Sequence, residues 1–203
     1  MTIWAIVPVK PLRRGKSRLA GMLTEDQRTS LNRFLLEHIL TTLNDVEEIE
    51  HTLVVSRDPT ALALTRSMGG RTVLEGGAPQ FNTALKRATA VAKIHGAHAV
   101  LILPADLPLI TPADVRKLLK HGRKPPVVVI APDRRDNGTN GLLVNPAGLI
   151  EYCYGPASNY RHAERATEAG ARVITVPSKS IGLDLDFPDD LDLVGGLIGL
   201  KLE

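Results

Sequence analysis

Apolar residues along this chain fall into two alternating rhythms. Short runs of aliphatic and β-branched residues at 2–9, 51–56, 71–74, 99–103, 127–131, 142–145 and 172–176 read as strands. Several are apolar at nearly every position, as expected of strands covered on both faces. Between most of them apolar positions return every three or four residues, the period of an α-helix. Residues 25–44 place Leu31, Phe34, Leu35, Ile39 and Leu43 on one face, and Thr24 with Gln27 forms a capping box ahead of them. Further helices are predicted over 59–68, 80–95, 158–169 and 189–200, and over 112–121 behind the cap Thr111 with Pro112 in the first helical position.

Strands alternating with helices over the whole length predict an α/β fold, a mostly parallel sheet with helices on both faces. No linker or low-complexity tract interrupts the pattern, so one domain over residues 1–203 is expected. In such sheets ligands bind beyond the carboxyl ends of the strands, where the strand order reverses. The polar loops at 10–18, 75–82, 105–109 and 132–140, with 178–186 approaching the same edge, are therefore the candidate site.

Composition narrows this reading. The chain is 43% hydrophobic but only 3% aromatic, so its core is aliphatic. A net charge of +3 is too small to imply a polyanionic partner, but its distribution is uneven. Lys10, Arg13, Arg14, Lys16 and Arg18 crowd together without an acid, and Asp184, Asp186, Asp189, Asp190 and Asp192 crowd together without a base. The first group suits phosphate and the second suits a metal. Cys153 is the sole cysteine, which excludes an intrachain disulfide and a thiolate cluster. No stretch reaches the roughly 18 apolar residues that span a bilayer, and the short apolar start runs into Pro8 and Pro11, unlike a signal peptide. A cytoplasmic protein without a membrane or nucleic-acid partner is expected.

Four segments carry candidate chemistry. Gly15-Lys16-Ser17 resembles the tail of a Walker A loop, but Lys10 stands where that motif needs glycine. What remains is a basic loop in which Lys10, Lys16 and Arg18 can neutralise a triphosphate, or which is simply a solvated turn. Asp106 follows an apolar strand between Pro104 and Pro108, a fixed carboxylate suited to a hard cation. Asp184 and Asp186 alternate with Leu183 and Leu185, so an extended backbone sends both carboxylates to one face. Convergence of three carboxylates implies magnesium or manganese, whereas Asp189 and Asp190 read as charges favoured at a helix start. Residues 132–141 offer Thr139 and Asn140 to a phosphate or carboxylate, although the same composition describes a plain hairpin turn. Ser158 caps the helix that follows Gly155, and Arg161 and His162 in its first turns can contact an acid.

Pro8-Val9-Lys10 with Lys16-Ser17-Arg18-Leu19, Leu103-Pro104-Ala105-Asp106-Leu107-Pro108, Pro132-Asp133-Arg134 with Gly138-Thr139-Asn140, Gly155 with Ser158 and His162, and Gly182-Leu183-Asp184-Leu185-Asp186 follow one another in this order. Together they resemble the guanylyltransferases of coenzyme F420 biosynthesis over nearly the entire chain. That resemblance implies a Rossmann-like nucleotidyltransferase fold and transfer of GMP from GTP to a phosphorylated three-carbon acid with loss of pyrophosphate. The acid it implies is phosphoenolpyruvate or 2-phospho-L-lactate, or 3-phosphoglycerate in some members. It further implies Mg2+ held by Asp106, Asp184 and Asp186, acid contacts from Thr139, Gly155 and Ser158, and a nucleotide base near Asn82; the basic loop offers Lys10, Lys16 and Arg18 as the other nucleotide contacts, with Lys16, Arg18 and Asp106 the candidate catalytic groups. The chain departs from the family pattern at Gln80-Phe81, at Gly141 and at Pro156-Ala157. A transferase for a sugar or polyol phosphate is the alternative enzyme, and a non-catalytic RNA-binding protein using the basic loop is the alternative of another class. The apolar end of the last helix, Leu197-Ile198-Gly199-Leu200, suggests contact with a second copy.

Overall fold

The computed structural model describes residues 1–77 and 80–194. Strand β1 (Ile3–Val9) is buried at every position and forms the spine of the fold. Its side chains alternate between two layers, as period two requires. Ile3, Ala5, Val7 and Val9 join the core beneath helices α1 (Glu25–Asn44), α2 (Pro59–Ser67) and α4 (Pro112–His121). Trp4 and Ile6 join the core beneath α3 (Phe81–Ile94) and α5 (Ser158–Glu168). The predicted capping box at Thr24 and Gln27 is formed, and Thr111 makes a second one with Asp114.

The remaining strands are β2 (Ile49–Ser56), β3 (Arg71–Leu74), β4 (Ala99–Ile102), β5 (Val127–Pro132), β6 (Thr139–Asn145) and β7 (Arg172–Thr175). They pair in the order β3-β2-β1-β4-β6-β5-β7. The chain leaves β1 toward β2 and β3, then returns to lay β4 along the other side of β1, so the order reverses between β1 and β4. Every pairing is parallel except those of β6, which runs antiparallel to both β4 and β5. That orientation has a functional consequence. The first residues of β6 lie at the edge where β1, β4 and β5 end.

Strand β6 begins at Thr139, earlier than the predicted start at residue 142, because Thr139 and Asn140 are drawn into the ladder opposite the end of β5. They belong to a buried strand instead of the turn. Gly141, an expected departure from the family pattern, is accounted for by its neighbours. A Cβ there would lie 3.1 Å from both the Ala131 Cβ and the Leu118 Cδ1, which fill its space.

A third, smaller core joins segments far apart in sequence. Leu19 and Leu23 from the loop after β1, Leu31 and Leu35 from α1, and Leu183, Leu185 and Val194 from the far end of the chain pack together. Between α6 (Lys179–Gly182) and α7 (Pro188–Val194) the chain is non-helical. Leu183 and Leu185 are buried there, and Asp184 and Asp186 are half-buried on the opposite side, as the alternation predicts. The closing helix expected over 189–200 starts at Pro188 and is described to Val194; its apolar end, where a second copy was expected, lies outside the described residues.

Leu185→Ala removes a fully buried side chain from this joint and is expected to cost about 2–5 kcal/mol. The measurement is a lower urea midpoint at unchanged slope; a midpoint equal to that of the parent would contradict the packing.

Candidate active site

The loop after β1 is shaped by close packing. Asn32 on α1 donates from Nδ2 to the Leu12 carbonyl (2.7 Å), and the Leu12 amide donates to Asp58 (2.7 Å). Gly15 lies so close to Asn32 that a Cβ would come within 2.5 Å of its Nδ2. Lys16 then takes a left-handed backbone, with φ of 55°. Its side chain turns inward, only 5% exposed, and Nζ donates to Asp106 Oδ2 (2.8 Å) and Asp186 Oδ1 (3.0 Å). Arg18, one turn further, pairs with Asp186 Oδ2 at 3.0 Å and stacks over Phe187. The basic run therefore divides. Arg13 and Arg14 are exposed, whereas Lys16 and Arg18 are turned onto carboxylates, so the run does not present the single surface that RNA binding would use.

The acids meet at the same point. Asp106 sits in the loop after β4, and its carbonyl accepts the Leu185 amide at 3.0 Å, which fixes the C-terminal segment against it. Burial opposes ionisation of Asp106, but the charge and hydrogen bond of Lys16 outweigh it and hold the carboxyl below its usual value. For Lys16, burial pulls the ammonium down while Asp106 and Asp186 pull it up, and the acids prevail. Asp184 is shifted the other way. Burial and the neighbouring Asp106 charge raise it, despite a hydrogen bond from Asn140 Nδ2 (3.2 Å).

Asp190 stands in the first turn of α7, as expected of a helix-start charge, and does more besides. It is fully buried, its Oδ2 accepts the amides of Asp186 (2.9 Å) and Phe187 (2.7 Å), and its Oδ1 pairs with Arg134 (2.6 Å) and Arg135 (3.3 Å). Burial works against its charge, but these donors prevail and hold its carboxyl below the usual value. Asp190 thus positions Asp186 and ties it to the β5–β6 hairpin.

On the other side of the cavity, Thr139 opens β6 and Ser158 opens α5. Ser158 is the first helical residue, and the cap position is Ala157 with φ of 55°, so Ser158 does not cap the helix. Its hydroxyl instead lies 3.2 Å from that of Thr139. Gly155 has φ of 127°, a backbone that other residues rarely adopt. Arg161 donates to the Cys153 carbonyl (2.7 Å) and so holds the loop. His162 is fully buried behind the two hydroxyls. Asn140, offered by the sequence to a phosphate or carboxylate, lines the cavity and donates to the Ile181 and Gly182 carbonyls and to Asp184. Asn82 clamps the Tyr154 backbone, accepting its amide (2.8 Å) and donating to its carbonyl (3.3 Å).

One cavity of about 470 Å³ is lined by Lys10, Lys16, Asp106, Asp184 and Asp186 together with Thr139, Gly155 and Ser158. Its size suits small ligands. Arg18 lies outside the lining, on the exposed side of Asp186, and Asn82 and His162 stand behind it. Phe81 and Tyr154 supply an apolar flank, 5.1 Å apart between ring centroids. Sequence reasoning missed Asn32 and Tyr154 as parts of this wall; the only available signal for Asn32 is a polar residue on the inner face of an otherwise apolar helix. Among the described residues no three histidine, cysteine or acidic side chains stand together as a metal cage, and the Lys16 ammonium bridges Asp106 and Asp186.

A basic loop and convergent acids lie at the β1/β4 reversal of a Rossmann-like sheet, the architecture of nucleotidyltransferases. The fold of a nucleotidyl transferase from Methanothermobacter superposes with a TM-score of 0.71 at 17% identity, covering 95% of each chain. Residues 3–196 match the family model "Guanylyl transferase CofC like", and the chain belongs to that family. A phosphoenolpyruvate guanylyltransferase of Rubrobacter xylanophilus is 39% identical over 94% of this chain and 92% of its own length. A 2-phospho-L-lactate guanylyltransferase of Methanothermobacter thermautotrophicus is 32% identical over 94% and 83%. No helix among the described residues is long and apolar enough to cross a membrane.

Burial, with Arg161 and Arg165 adding to it, lowers the His162 pKa from 6.5 to about 4. The unfolded chain therefore takes up this proton at higher pH than the folded one, and the wild type loses stability as pH falls from about 6.5 toward 4. His162→Asn removes that contribution. Melting temperatures across this window should fall more steeply for the wild type than for the variant, and parallel curves would contradict the buried neutral ring.

Proposed function

We propose that this chain transfers the GMP moiety of GTP to phosphoenolpyruvate, with 2-phospho-L-lactate as the second candidate acceptor. The observation that carries the reading is the single cavity, with Lys16 and the acids at one end and the Thr139, Gly155 and Ser158 group at the other. A triphosphate and a small anionic acid fit these two ends by charge and by hydrogen bonding. Phosphoenolpyruvate is preferred because the relative of higher identity carries that name.

In this reaction a phosphate oxygen of the acid attacks the α-phosphorus of GTP. A new P–O bond forms as the bond to the β-phosphate breaks, and pyrophosphate leaves. The attacking oxygen is already anionic, so neither a strong base nor a covalent residue is needed. The protein's work is to hold two anions together and to neutralise charge on the pentavalent centre and the leaving group. Lys10 and Lys16 face the triphosphate end, and Arg18 flanks it from the rim. Thr139, Gly155 and Ser158 orient the acid.

Mg2+ fits the chemistry of the donor set. Asp106, Asp184 and Asp186 offer hard oxygen ligands, and burial of Asp184 beside the Asp106 charge raises its pKa, a cost of ionisation that a divalent cation would offset. Bound there, the ion would supply charge neutralisation at the reacting phosphates. Lys16 would then exchange one of its carboxylate partners for a phosphate oxygen.

The test incubates purified protein with GTP, ATP or CTP, magnesium and each of phosphoenolpyruvate, 2-phospho-L-lactate, 3-phosphoglycerate and a polyol phosphate, and identifies products by mass. A guanylated phosphoenolpyruvate with stoichiometric pyrophosphate is the expected outcome. A product formed only from a polyol phosphate, or tight salt-sensitive RNA binding without pyrophosphate release, would replace this reading. Asp106→Asn is expected to lower turnover by orders of magnitude while leaving the fold intact; near-normal turnover would remove Asp106 from the machinery.

A further inference from the structure

His162 makes two hydrogen bonds whose directions follow from chemistry alone. Its Nε2 lies 3.1 Å from the backbone nitrogen of Cys153, and a backbone amide can only donate. Nε2 therefore carries no proton. The neutral ring must hold its proton on Nδ1, which then donates to the Thr139 hydroxyl at 3.0 Å. Burial and the nearby Arg161 and Arg165 charges keep the ring neutral. Tyr154 packs against it edge-on, with ring centroids 4.9 Å apart, and helps to keep its plane fixed.

This direction constrains the two hydroxyls in front of the ring. Thr139 accepts from His162, and Ser158 Oγ lies 3.2 Å from Thr139 Oγ1. The pair owns two O–H protons, and one of them bridges the two oxygens. Among the described residues no further partner exists for the other proton. Both side chains line the cavity, so the cavity is the direction left open to it.

We propose that His162 is a positioning residue for the acceptor acid: as the Nδ1–H tautomer it commits the Thr139 and Ser158 pair to present an O–H donor to an oxyanion of that acid. The proposal rests on the reading of this end of the cavity as the acid site. It gives His162 a role through Thr139 instead of the direct contact that its place in the first turns of a helix suggests. An Nε2–H ring would offer Thr139 a lone pair, draw the hydroxyl proton backward, and leave the pair without a free donor.

Nitrogen NMR of wild-type protein labelled with 15N-histidine tests the hydrogen-bond chain directly. At neutral pH His162 should show a protonated Nδ1 and a bare Nε2; an Nε2–H ring or an imidazolium overturns the proposal. Saturating phosphoenolpyruvate should shift the Nδ1–H resonance, and no shift overturns it as well. Failure of all turnover in the wild type would defeat the proposed reaction and still leave these two readouts.

Kinetics separates positioning from bulk structure. His162→Asn keeps an N–H near Thr139, whereas His162→Gln keeps an acceptor near Cys153 and loses that N–H. A buried hydroxyl left without its partner is costly, so His162→Gln should raise the KM for phosphoenolpyruvate by about tenfold, with the KM for GTP unchanged. His162→Asn should stay close to wild type. Equal losses in both variants, or a matching rise in the GTP KM, would show a merely structural histidine. If either variant fails to fold, the tautomer and the acid-induced shift decide the question.

Discussion

An ammonium group held between two carboxylates organises this site. Lys16 reaches Asp106 and Asp186 from a loop that lies far from both in sequence, and it can do so only because three segments are locked together behind it. The small leucine core supplies that lock, since Leu19, Leu31, Leu35 and Leu185 come from the loop after β1, from α1 and from the C-terminal segment. Apolar burial sets the position of the segments, and charge sets the direction of the side chains. Neither alone would do it. Two carboxylates brought this close would repel, and a buried lysine without them would tend to lose its proton.

The other half of the cavity depends on the reversed direction of β6. If β6 ran parallel to its neighbours, Thr139 would sit at the opposite edge of the sheet. Antiparallel pairing with β4 and β5 brings it beside the carboxyl ends of β1 and β4. Behind Thr139, the buried His162 on α5 backs the hydroxyls of Thr139 and Ser158, which line the cavity. Asn82 and Arg161 fix the intervening loop by its backbone. The side facing the acids is held by charge and the side facing the hydroxyls by directional hydrogen bonds.

Much of this was legible in the sequence wherever a local pattern carries the information. The strands stand out because a sheet covered on both faces needs apolar residues at every position, and the helix starts stand out because Thr24 and Thr111 satisfy the orphan amides. The alternation of Asp184 and Asp186 with two leucines predicted their shared face. Long-range partners were not legible. Asp190 reads as a helix-start charge, but its burial and its arginine partners 55 and 56 positions away were not visible there. Ser158 reads as a cap, but Thr139 on a distant strand claims its hydroxyl. His162 reads as a side chain able to contact an acid directly, because one turn of helix does not reveal which face is covered, yet it is fully buried behind Thr139. Family resemblance located Asn82 near the site but did not show that its amide serves the backbone of Tyr154.

The most direct measurement is a double-mutant cycle between Lys16 and Asp186, with Lys16→Met, Asp186→Asn and the pair compared by urea unfolding. Side chains in contact within one charged network show coupling of roughly 0.5–3 kcal/mol. The account predicts a favourable coupling in that range, reduced when Asp106→Asn is added. Additivity within about 0.3 kcal/mol would contradict it, because the basic loop and the acidic segment would then not meet in solution.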